Sequence, residues 1–306
     1  MQDPQKELRE MEPKHDYLVA IDSDGCAFDT MEIKHKECFI PNIIKYWKLQ
    51  PVSKYARAAA EFVNLYSKWR GVNRFPALIK TFDLLREWDD VRKRHIEVPE
   101  AKPLREWIER ETKLGNPALK AEVERTGEPI LENALEWSEA VNRTVAEIVH
   151  GVPPFPFVKE SLEKLSQKAD IIVCSATPVE ALRREWAEHK IEKYVRVIAG
   201  QEMGSKKEHI QLASQGKYEQ GKILMIGDAP GDMKAARANN ALFYPINPGG
   251  EEDSWERFFR EGIDKFLNGT YTKDYEKELI NEFEKLLPEL APWQKGKFSF
   301  HEIYSG

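Results

Sequence analysis

The chain is poor in cysteine and in net charge, and each shortage excludes a class of protein. Its 306 residues include three cysteines, spaced far apart, so neither a disulfide framework nor a zinc knuckle is expected. The 46 basic and 52 acidic residues leave a net charge of −6. This mild acidic excess gives no electrostatic reason to expect nucleic acid or a membrane surface as a partner.

Long apolar segments are missing as well. Residues 1–16 are polar and charged, without the apolar stretch of a signal peptide. The chain also has no run of about 18 apolar residues, which is the length that a membrane span needs. We therefore expect a cytoplasmic protein. A content of 41% hydrophobic and 32% charged residues is ordinary for a chain that buries a core, and the length favours two domains.

The chain does contain a series of short apolar runs, each followed by a polar turn. Such runs are typical of buried parallel strands, and they lie at 17–21, 171–174, 195–199, 222–226 and, more weakly, 241–244. Helical patterns lie between them, at about 157–166, 178–189, 206–215 and 232–238. This alternation predicts an α/β fold, a Rossmann-like parallel sheet with helices on both faces.

Residues 31–150 break this rhythm and predict helices instead. The helical patterns lie at about 31–49, 53–69, 76–94, 103–114 and 129–149, with aromatic side chains at the spacing of a bundle core. A Pro-rich segment at 151–156 leads back into the α/β pattern. We therefore expect a discontinuous α/β core at 15–30 and 151–250, an all-helical domain inserted at 31–150, and a C-terminal helical appendage at 251–306.

Polar residues follow the predicted strand ends, which is where open parallel sheets bind their ligands. The third strand is followed by a helix that begins with Lys206 and Lys207. Carboxylates, a hydroxyl and an ammonium are thus expected at one edge of the sheet, from Asp22, Asp24, Ser175, Lys206, Asp228 and Asp232.

In this order the residues resemble the four-motif signature of the haloacid dehalogenase superfamily. The signature is Asp-x-Asp-Gly, a Ser or Thr after a strand, a Lys, and Gly-Asp-x-x-x-Asp. The chain supplies Asp22-Ser-Asp24-Gly25, Ser175, Lys206 and Gly227-Asp228-Ala-Pro-Gly-Asp232. The resemblance covers roughly 15–30 and 151–248, and the helical insertion lies where the superfamily places its C1 cap.

The resemblance implies a Mg²⁺-dependent phosphatase that acts on a small phosphorylated metabolite. Asp22 would be the nucleophile that becomes phosphorylated. The Mg²⁺ ligands would be the Asp22 and Asp228 carboxylates and the Asp24 backbone carbonyl, with Asp232 as a further ligand or as a residue that orients the site.

The other motif residues would assist the transfer. Asp24 would protonate the leaving oxygen and then activate water. Ser175 would donate a hydrogen bond to the phosphoryl group, and Lys206 would place a positive charge against it. Lys206 is favoured over Lys207 because the preceding Gly-Ser resembles the superfamily's way of opening this helix. An acid at position 24 favours a phosphate ester over an organohalide as the substrate, because a halide leaves without needing a proton.

Two smaller interpretations concern single residues. The Ser-Ala-Thr-Pro segment at 175–178 is typical of a helix start, and Thr177 is predicted to cap that helix. The break between helices at 69–75 contains Arg70 and Arg74. These arginines are either solvated linker residues or contacts to a substrate's leaving group, since Arg can bind an anion with two parallel hydrogen bonds.

Other functions are compatible with the same motifs. A phosphomutase of the β-phosphoglucomutase type would use Asp22 and Asp24 but return the phosphoryl group to a sugar. A phosphonatase would need a cap lysine that no pattern identifies, and a non-catalytic binding protein would not need the full set of acids with their counter-charge. The substrate, the oligomeric state and the role of the C-terminal helices are left open.

Overall fold

The computed structural model describes residues 3–296 and divides the chain into two compact units. The first, here called the α/β unit, contains residues 3–31 together with His150–Leu286. The second, the helical unit, contains Glu32–Val149 and residues 287–296.

Five parallel strands form the sheet of the α/β unit. They are β1 (Tyr17–Ile21), β2 (Ala169–Cys174), β3 (Val197–Ala199), β4 (Ile223–Gly227) and β5 (Leu242–Pro245). Their order across the sheet is β3-β2-β1-β4-β5, with parallel pairing throughout. Each strand lies at one of the five apolar runs, and the predicted fold class is confirmed.

Helices connect the strands and build the helical unit. In chain order, the α-helices of the described residues are α1 (Lys6–Arg9), α2 (Thr30–Ile33), α3 (Ile40–Tyr46), α4 (Ser53–Asn64), α5 (Arg74–Glu87), α6 (Asp89–Arg92), α7 (Lys102–Arg110), α8 (Asn116–Thr126), α9 (Pro129–Ile148), α10 (Val158–Leu165), α11 (Val179–Glu188), α12 (Lys206–Ser214), α13 (Pro230–Ala238), α14 (Glu251–Arg257), α15 (Ile263–Leu267) and α16 (Lys273–Leu286). Shorter π-helical and 3₁₀ segments lie at Lys34–Phe39, Gln50–Val52, Glu192–Tyr194, Gln201–Met203, Phe258–Gly262 and Pro292–Gln294.

The sheet is buried on both faces. Val19 and Ile21 of β1 share an apolar cluster with Trp186 of α11 and with side chains of α10. Leu18 and Ala20, which alternate with them, are fully buried as well. α12 packs on β2, and α13 packs on β4 and β5. Burial on both faces explains why these strands are continuous apolar runs rather than alternating patterns.

The helical unit has its own aromatic core. Trp47, Phe82 and Trp137 are buried in one apolar cluster.

Two details differ from the predicted helices. The segment 76–94 is interrupted at Trp88, whose backbone is extended, and the unpredicted α8 begins beside Pro117. Proline is a breaker inside a helix but is favoured in the first turn, because its missing N–H would have no partner there. Among residues 3–296, none of the helices is both long and apolar enough to span a bilayer.

The segment after β5 differs from the predicted appendage, because its first part lies within the α/β unit. Glu276 of α16 is buried and accepts hydrogen bonds from the Phe243 backbone N (2.7 Å) and from Arg237 Nη1 (3.2 Å). Trp255 Nε1 donates to the Cys26 carbonyl at 2.7 Å. These bonds between distant residues attach α16 to β5 and α13, and α14 to the loop that follows β1. They leave no periodic signal in the sequence.

The residues that follow belong to the helical unit. Ala291 is fully buried in its apolar core, and the Trp293 ring stacks on Trp88 with centroids 4.0 Å apart. The C-terminal segment is therefore shared between the two units.

Asp170, near the start of β2, has a buried carboxylate that binds donors from several distant segments of the chain. Its Oδ2 accepts hydrogen bonds from the backbone N of Lys14 (2.8 Å), the backbone N of His15 (3.1 Å) and Tyr218 Oη (2.9 Å), and its Oδ1 pairs with Arg196. Burial alone would raise the pKa of Asp170, but these donors outweigh burial and hold the pKa below its ordinary value of 3.8. The ionised form therefore stabilises the fold.

Replacing Asp170 with asparagine should destabilise the α/β unit by about 3 kcal/mol at neutral pH, because the new amide N–H groups would face donors. Since the pKa is lowered by folding, the contribution is present above pH 3.8 and is lost as the pH falls through the folded-state value. Urea unfolding of wild type and Asp170→Asn between pH 7 and pH 3 should show the difference shrinking at low pH. Asp16→Asn, at an exposed acid, is the charge-matched control, and an equal effect there would contradict the role of Asp170.

Candidate active site

The sheet brings three of the predicted residues side by side. Asp22, Ser175 and Asp228 each follow directly after β1, β2 or β4, and these are neighbouring strands in the sheet. Ile21 at the end of β1 is in register with Val173 and Ile226. Parallel strands end at the same edge, so the side chains that follow them converge.

Asp22 makes an ion pair with Lys206, and a second carboxylate shares the same ammonium. Lys206 Nζ donates to Asp22 Oδ2 at 2.6 Å and to Asp232 Oδ1 at 2.6 Å. Asp22 is 5% exposed and Asp232 is fully buried. Lys207, the other sequence candidate, is exposed. Of the two adjacent lysines, Lys206 is therefore the one that faces the carboxylates.

Local structure fixes where Lys206 begins its helix. Ser205 caps α12 by accepting a hydrogen bond from the Glu208 backbone N, while Glu208 accepts one from the Ser205 backbone N. This reciprocal capping box satisfies N–H groups at the helix start and defines its first residue as Lys206.

Asp232 is held by its own turn. Its Oδ2 accepts a hydrogen bond from the Ala229 backbone N at 3.0 Å. A Cβ atom at Gly227 would lie 2.5 Å from Asp232 Oδ2, so only glycine leaves room for this carboxylate. The Gly-Asp-x-x-x-Asp spacing is therefore a packing requirement as well as a source of two acids.

Three buried carboxylates form a cluster that could hold a cation. One oxygen from each of Asp22, Asp228 and Asp232 lies within 4.8 Å of the others. Lys206 supplies the ammonium that contacts two of them, so the cluster retains an excess of negative charge. Oxygen ligands in this number and charge fit Mg²⁺, which is bound through carboxylates and retained waters.

Burial and charge shift the pKa values in this cluster. Burial, with the nearby carboxylates of Asp232 and Asp228, raises the pKa of Asp22 well above its ordinary value, although Lys206 acts in the opposite direction. Burial also raises the pKa of Asp232. Burial by itself would lower the pKa of Lys206, but Asp22 and Asp232 raise it well above its ordinary value. Lys206 is therefore a permanent cation at neutral pH.

Asp24 is held by two hydroxyl groups. Thr30 Oγ1 donates to Asp24 Oδ1 at 2.5 Å, and Thr177 Oγ1 donates to Asp24 Oδ2 at 2.7 Å. The prediction that Thr177 caps α11 is wrong, since the capping position is Pro178 and the first N–H of the helix, that of Val179, donates to Glu202 Oε2 at 3.0 Å. The hydroxyl instead reaches a carboxylate 153 residues away in sequence, which a local pattern cannot reveal.

Ser175 lies at the end of β2 and is 3% exposed. Its backbone N donates to the Ala199 carbonyl at 3.0 Å, and its Oγ accepts a hydrogen bond from the Thr177 backbone N at 3.1 Å. Both bonds fix the turn that follows β2.

Sequence reasoning missed the role of Ser23, the residue between the two aspartates. Trp186 Nε1 donates to Ser23 Oγ at 3.0 Å, and Ser23 Oγ donates to Glu185 Oε2 at 3.2 Å. The Ser23 carbonyl also accepts hydrogen bonds from the backbone N of Ala27 and Phe28. The only local signal for it is a hydroxyl side chain between two aspartates at a strand end. These bonds tie the loop that carries Asp22 and Asp24 to α11.

The two arginines singled out from the sequence lie in the helical unit. Arg70 is 3% exposed and its Nη1 donates to the Leu65 carbonyl at 3.0 Å. Arg74 Nη1 donates to Ser138 and Asn142. Their predicted contact with a substrate stays a prediction.

Comparison with known proteins identifies a family for the chain. The sequence model of the haloacid dehalogenase-like hydrolases matches residues 90–244, just over half of the chain. A comparison with curated protein sequences gave no significant match.

Solved structures that match this chain include haloacid dehalogenase-like hydrolases from three bacteria. One from Streptococcus pneumoniae is 15% identical, with 82% of this chain and 98% of that chain covered and a TM-score of 0.45. One from Xanthomonas campestris is 10% identical, with 85% and 97% covered and a TM-score of 0.44. One from Geobacter sulfurreducens is 14% identical, with 75% and 86% covered and a TM-score of 0.38. On the match of the sequence model, this chain belongs to the haloacid dehalogenase-like hydrolase family.

Proposed function

We propose that this protein is a Mg²⁺-dependent phosphatase that hydrolyses a small phosphorylated metabolite through an aspartyl-phosphate on Asp22. The observation that carries the proposal is the buried contact of 2.6 Å between Asp22 and Lys206, beside the carboxylates of Asp228 and Asp232. A carboxylate next to a fixed cation is suited to attack phosphorus, because the cation can stabilise the charge of the transferring group. Membership of a hydrolase family supports the same class of reaction.

The carboxylate cluster would hold the metal. Asp22, Asp228 and the Asp24 backbone carbonyl are the proposed ligands, with Asp232 as a ligand or as a residue that orients Lys206. When bound, Mg²⁺ would offset the repulsion between the carboxylates and the incoming phosphate.

Asp22 and Asp24 would divide the reaction into two displacements. In the first, an Asp22 oxygen bonds to phosphorus, the bond from phosphorus to the leaving oxygen breaks, and Asp24 gives that oxygen its proton. In the second, Asp24 takes a proton from water as the water oxygen attacks phosphorus, which releases phosphate and restores the Asp22 carboxylate. The hydroxyls of Thr30 and Thr177 would hold Asp24 in place between the two steps.

Ser175 and Lys206 would act on the transferring group itself. Lys206 is a permanent cation that contacts Asp22, so it would lie against any phosphoryl oxygen bound there. Ser175, at the adjacent strand end, would donate a hydrogen bond to another oxygen. Donors that are already in place when charge develops lower the barrier, because they need no reorganisation.

Metal dependence is the first test of this function. We expect phosphate release from p-nitrophenyl phosphate and from some members of a panel of phosphorylated metabolites in the presence of Mg²⁺. Chelator should abolish that release, and added Mg²⁺ should restore it, because the carboxylates would otherwise repel the substrate. Circular dichroism in chelator should remain native, which separates loss of metal from loss of fold. Release that persists undiminished in chelator, or no release from any compound by folded protein with Mg²⁺ bound, would contradict the proposal.

A further inference from the structure

Arg74 in the helical unit is held by neutral groups at one of its two terminal nitrogens. Its Nη1 donates to the Ser138 carbonyl (3.1 Å), to Ser138 Oγ (2.9 Å) and to Asn142 Oδ1 (2.8 Å). Ser138 Oγ in turn donates to Asn116 Oδ1 at 2.6 Å. The guanidinium carbon lies 5.0 Å from the centroid of the Phe39 ring. These contacts fix both the position and the plane of the guanidinium group.

The opposite edge of the same guanidinium is left open. Among residues 3–296, all hydrogen bonds of the Arg74 side chain come from Nη1. The N–H groups of Nε and Nη2 point in parallel along the other edge, and this is the geometry with which arginine binds a carboxylate or phosphate through two hydrogen bonds. Arg74 itself is partly exposed, so a ligand could reach its side chain from solvent.

The charge of Arg74 is also uncompensated within the described part of the chain. The side chain has no salt bridge to a carboxylate there, although the protein has 52 acidic residues. Burial lowers the pKa of Arg74 to about 10, without an opposing contribution from an acid. Burying a cation costs free energy unless it is paired, so an anionic partner would stabilise this arrangement.

We propose that the Nε–Nη2 edge of Arg74 is a binding site for the carboxylate or phosphate group of a small molecule. The site is preorganised, because Ser138, Asn142 and Phe39 hold the guanidinium before the anion arrives. The anion is either a second charged group of the substrate or a separate ligand. Only the first of these alternatives rests on the proposed function.

The direct test is the NMR signal of the Arg74 Nε–H group, assigned by its disappearance in Arg74→Gln. Titration of metal-free, full-length protein with malonate and with inorganic phosphate should shift that signal with a saturable, millimolar dissociation constant, as expected for one charge-assisted bidentate contact. Arg143→Gln is the matched control, since it removes the same charge at an exposed neighbour on α9 and should leave the titration unchanged. An Arg74 signal that does not move with either anion would overturn the proposal, whether or not the protein is a phosphatase.

A second arm identifies the source of the anion. It compares KM for phosphate esters with and without a carboxylate, in wild type, Arg74→Gln, Arg74→Lys and Arg143→Gln. If the anion belongs to the substrate, Arg74→Gln should raise KM about tenfold for the carboxylated ester only, with kcat unchanged, and Arg74→Lys should restore part of the loss. If KM is equal for both esters while malonate still shifts the Nε–H signal, the site binds a separate ligand.

Discussion

Replacing Asp22 with asparagine is expected to abolish turnover, lowering kcat for phosphate release by about 10⁴-fold or more, as for other enzymes that lose a covalent nucleophile. An amide cannot form the acyl phosphate that the proposed first step requires. Intact-protein mass spectrometry after acid quenching should detect a phosphorylated wild-type protein during turnover and none in the variant.

The fold should survive the Asp22→Asn change. Lys206 keeps its contact with Asp232 at 2.6 Å, and the substitution removes one of three crowded carboxylates, whose ionised form is disfavoured by burial. The thermal midpoint of the variant without metal should therefore be no lower than that of wild type. Asp253→Asn, at an exposed acid of α14, is the charge-matched control and should keep full activity. An Asp22→Asn enzyme with substantial activity would mean that another group attacks phosphorus.

Replacing Asp24 with asparagine should separate the two displacements. p-Nitrophenolate leaves without a proton, so the first step with p-nitrophenyl phosphate should be little affected. Water activation in the second step loses its base, and we expect the steady-state rate to fall about 10²- to 10⁴-fold. Stopped-flow measurement should therefore show a burst of p-nitrophenolate equal to the enzyme concentration, followed by slow turnover.

Alkyl phosphates provide the contrast for Asp24. Their leaving oxygen needs a proton, so Asp24→Asn should slow both displacements, and no phosphorylated protein should accumulate. Equal losses for aryl and alkyl esters, without a burst for either, would contradict the acid and base role of Asp24. Asp253→Asn again serves as the control, since it lies outside the site.

The α/β fold could be predicted because its strands carry a local signal. Each strand is buried and is therefore a short apolar run such as Tyr17–Ile21, and the polar residue after each run lies at the edge where parallel sheets bind ligands. The convergence of Asp22, Ser175 and Asp228 follows from this rule together with the strand order.

Contacts between distant side chains could not be predicted in the same way. The shared ammonium of Lys206, the hydroxyl of Thr177 on Asp24 and the bond from Trp186 to Ser23 each join segments that are far apart in sequence. Such contacts depend on how helices pack on the sheet, and no spacing within one segment encodes them.

The helical unit shows the same division. Its helicity and aromatic core could be predicted from the spacing of residues such as Phe82 and Trp88. The break at Trp88 could not, because no glycine or proline marks it in the sequence. The helix that starts beside Pro117 could not either, because proline acts differently at a helix start and in its interior.

By itself, the sequence predicted the α/β class, the inserted helices and the six polar residues expected at the sheet edge. It could do so because apolar runs, helical spacing and the polar residues after each strand are local features of a sequence. Only the tertiary structure decided that Lys206 contacts both Asp22 and Asp232, that the chain after β5 is divided between the two units, and that Arg74 keeps an open edge. These outcomes depend on which side chains meet across the fold, and burial then decides how strongly their charges interact.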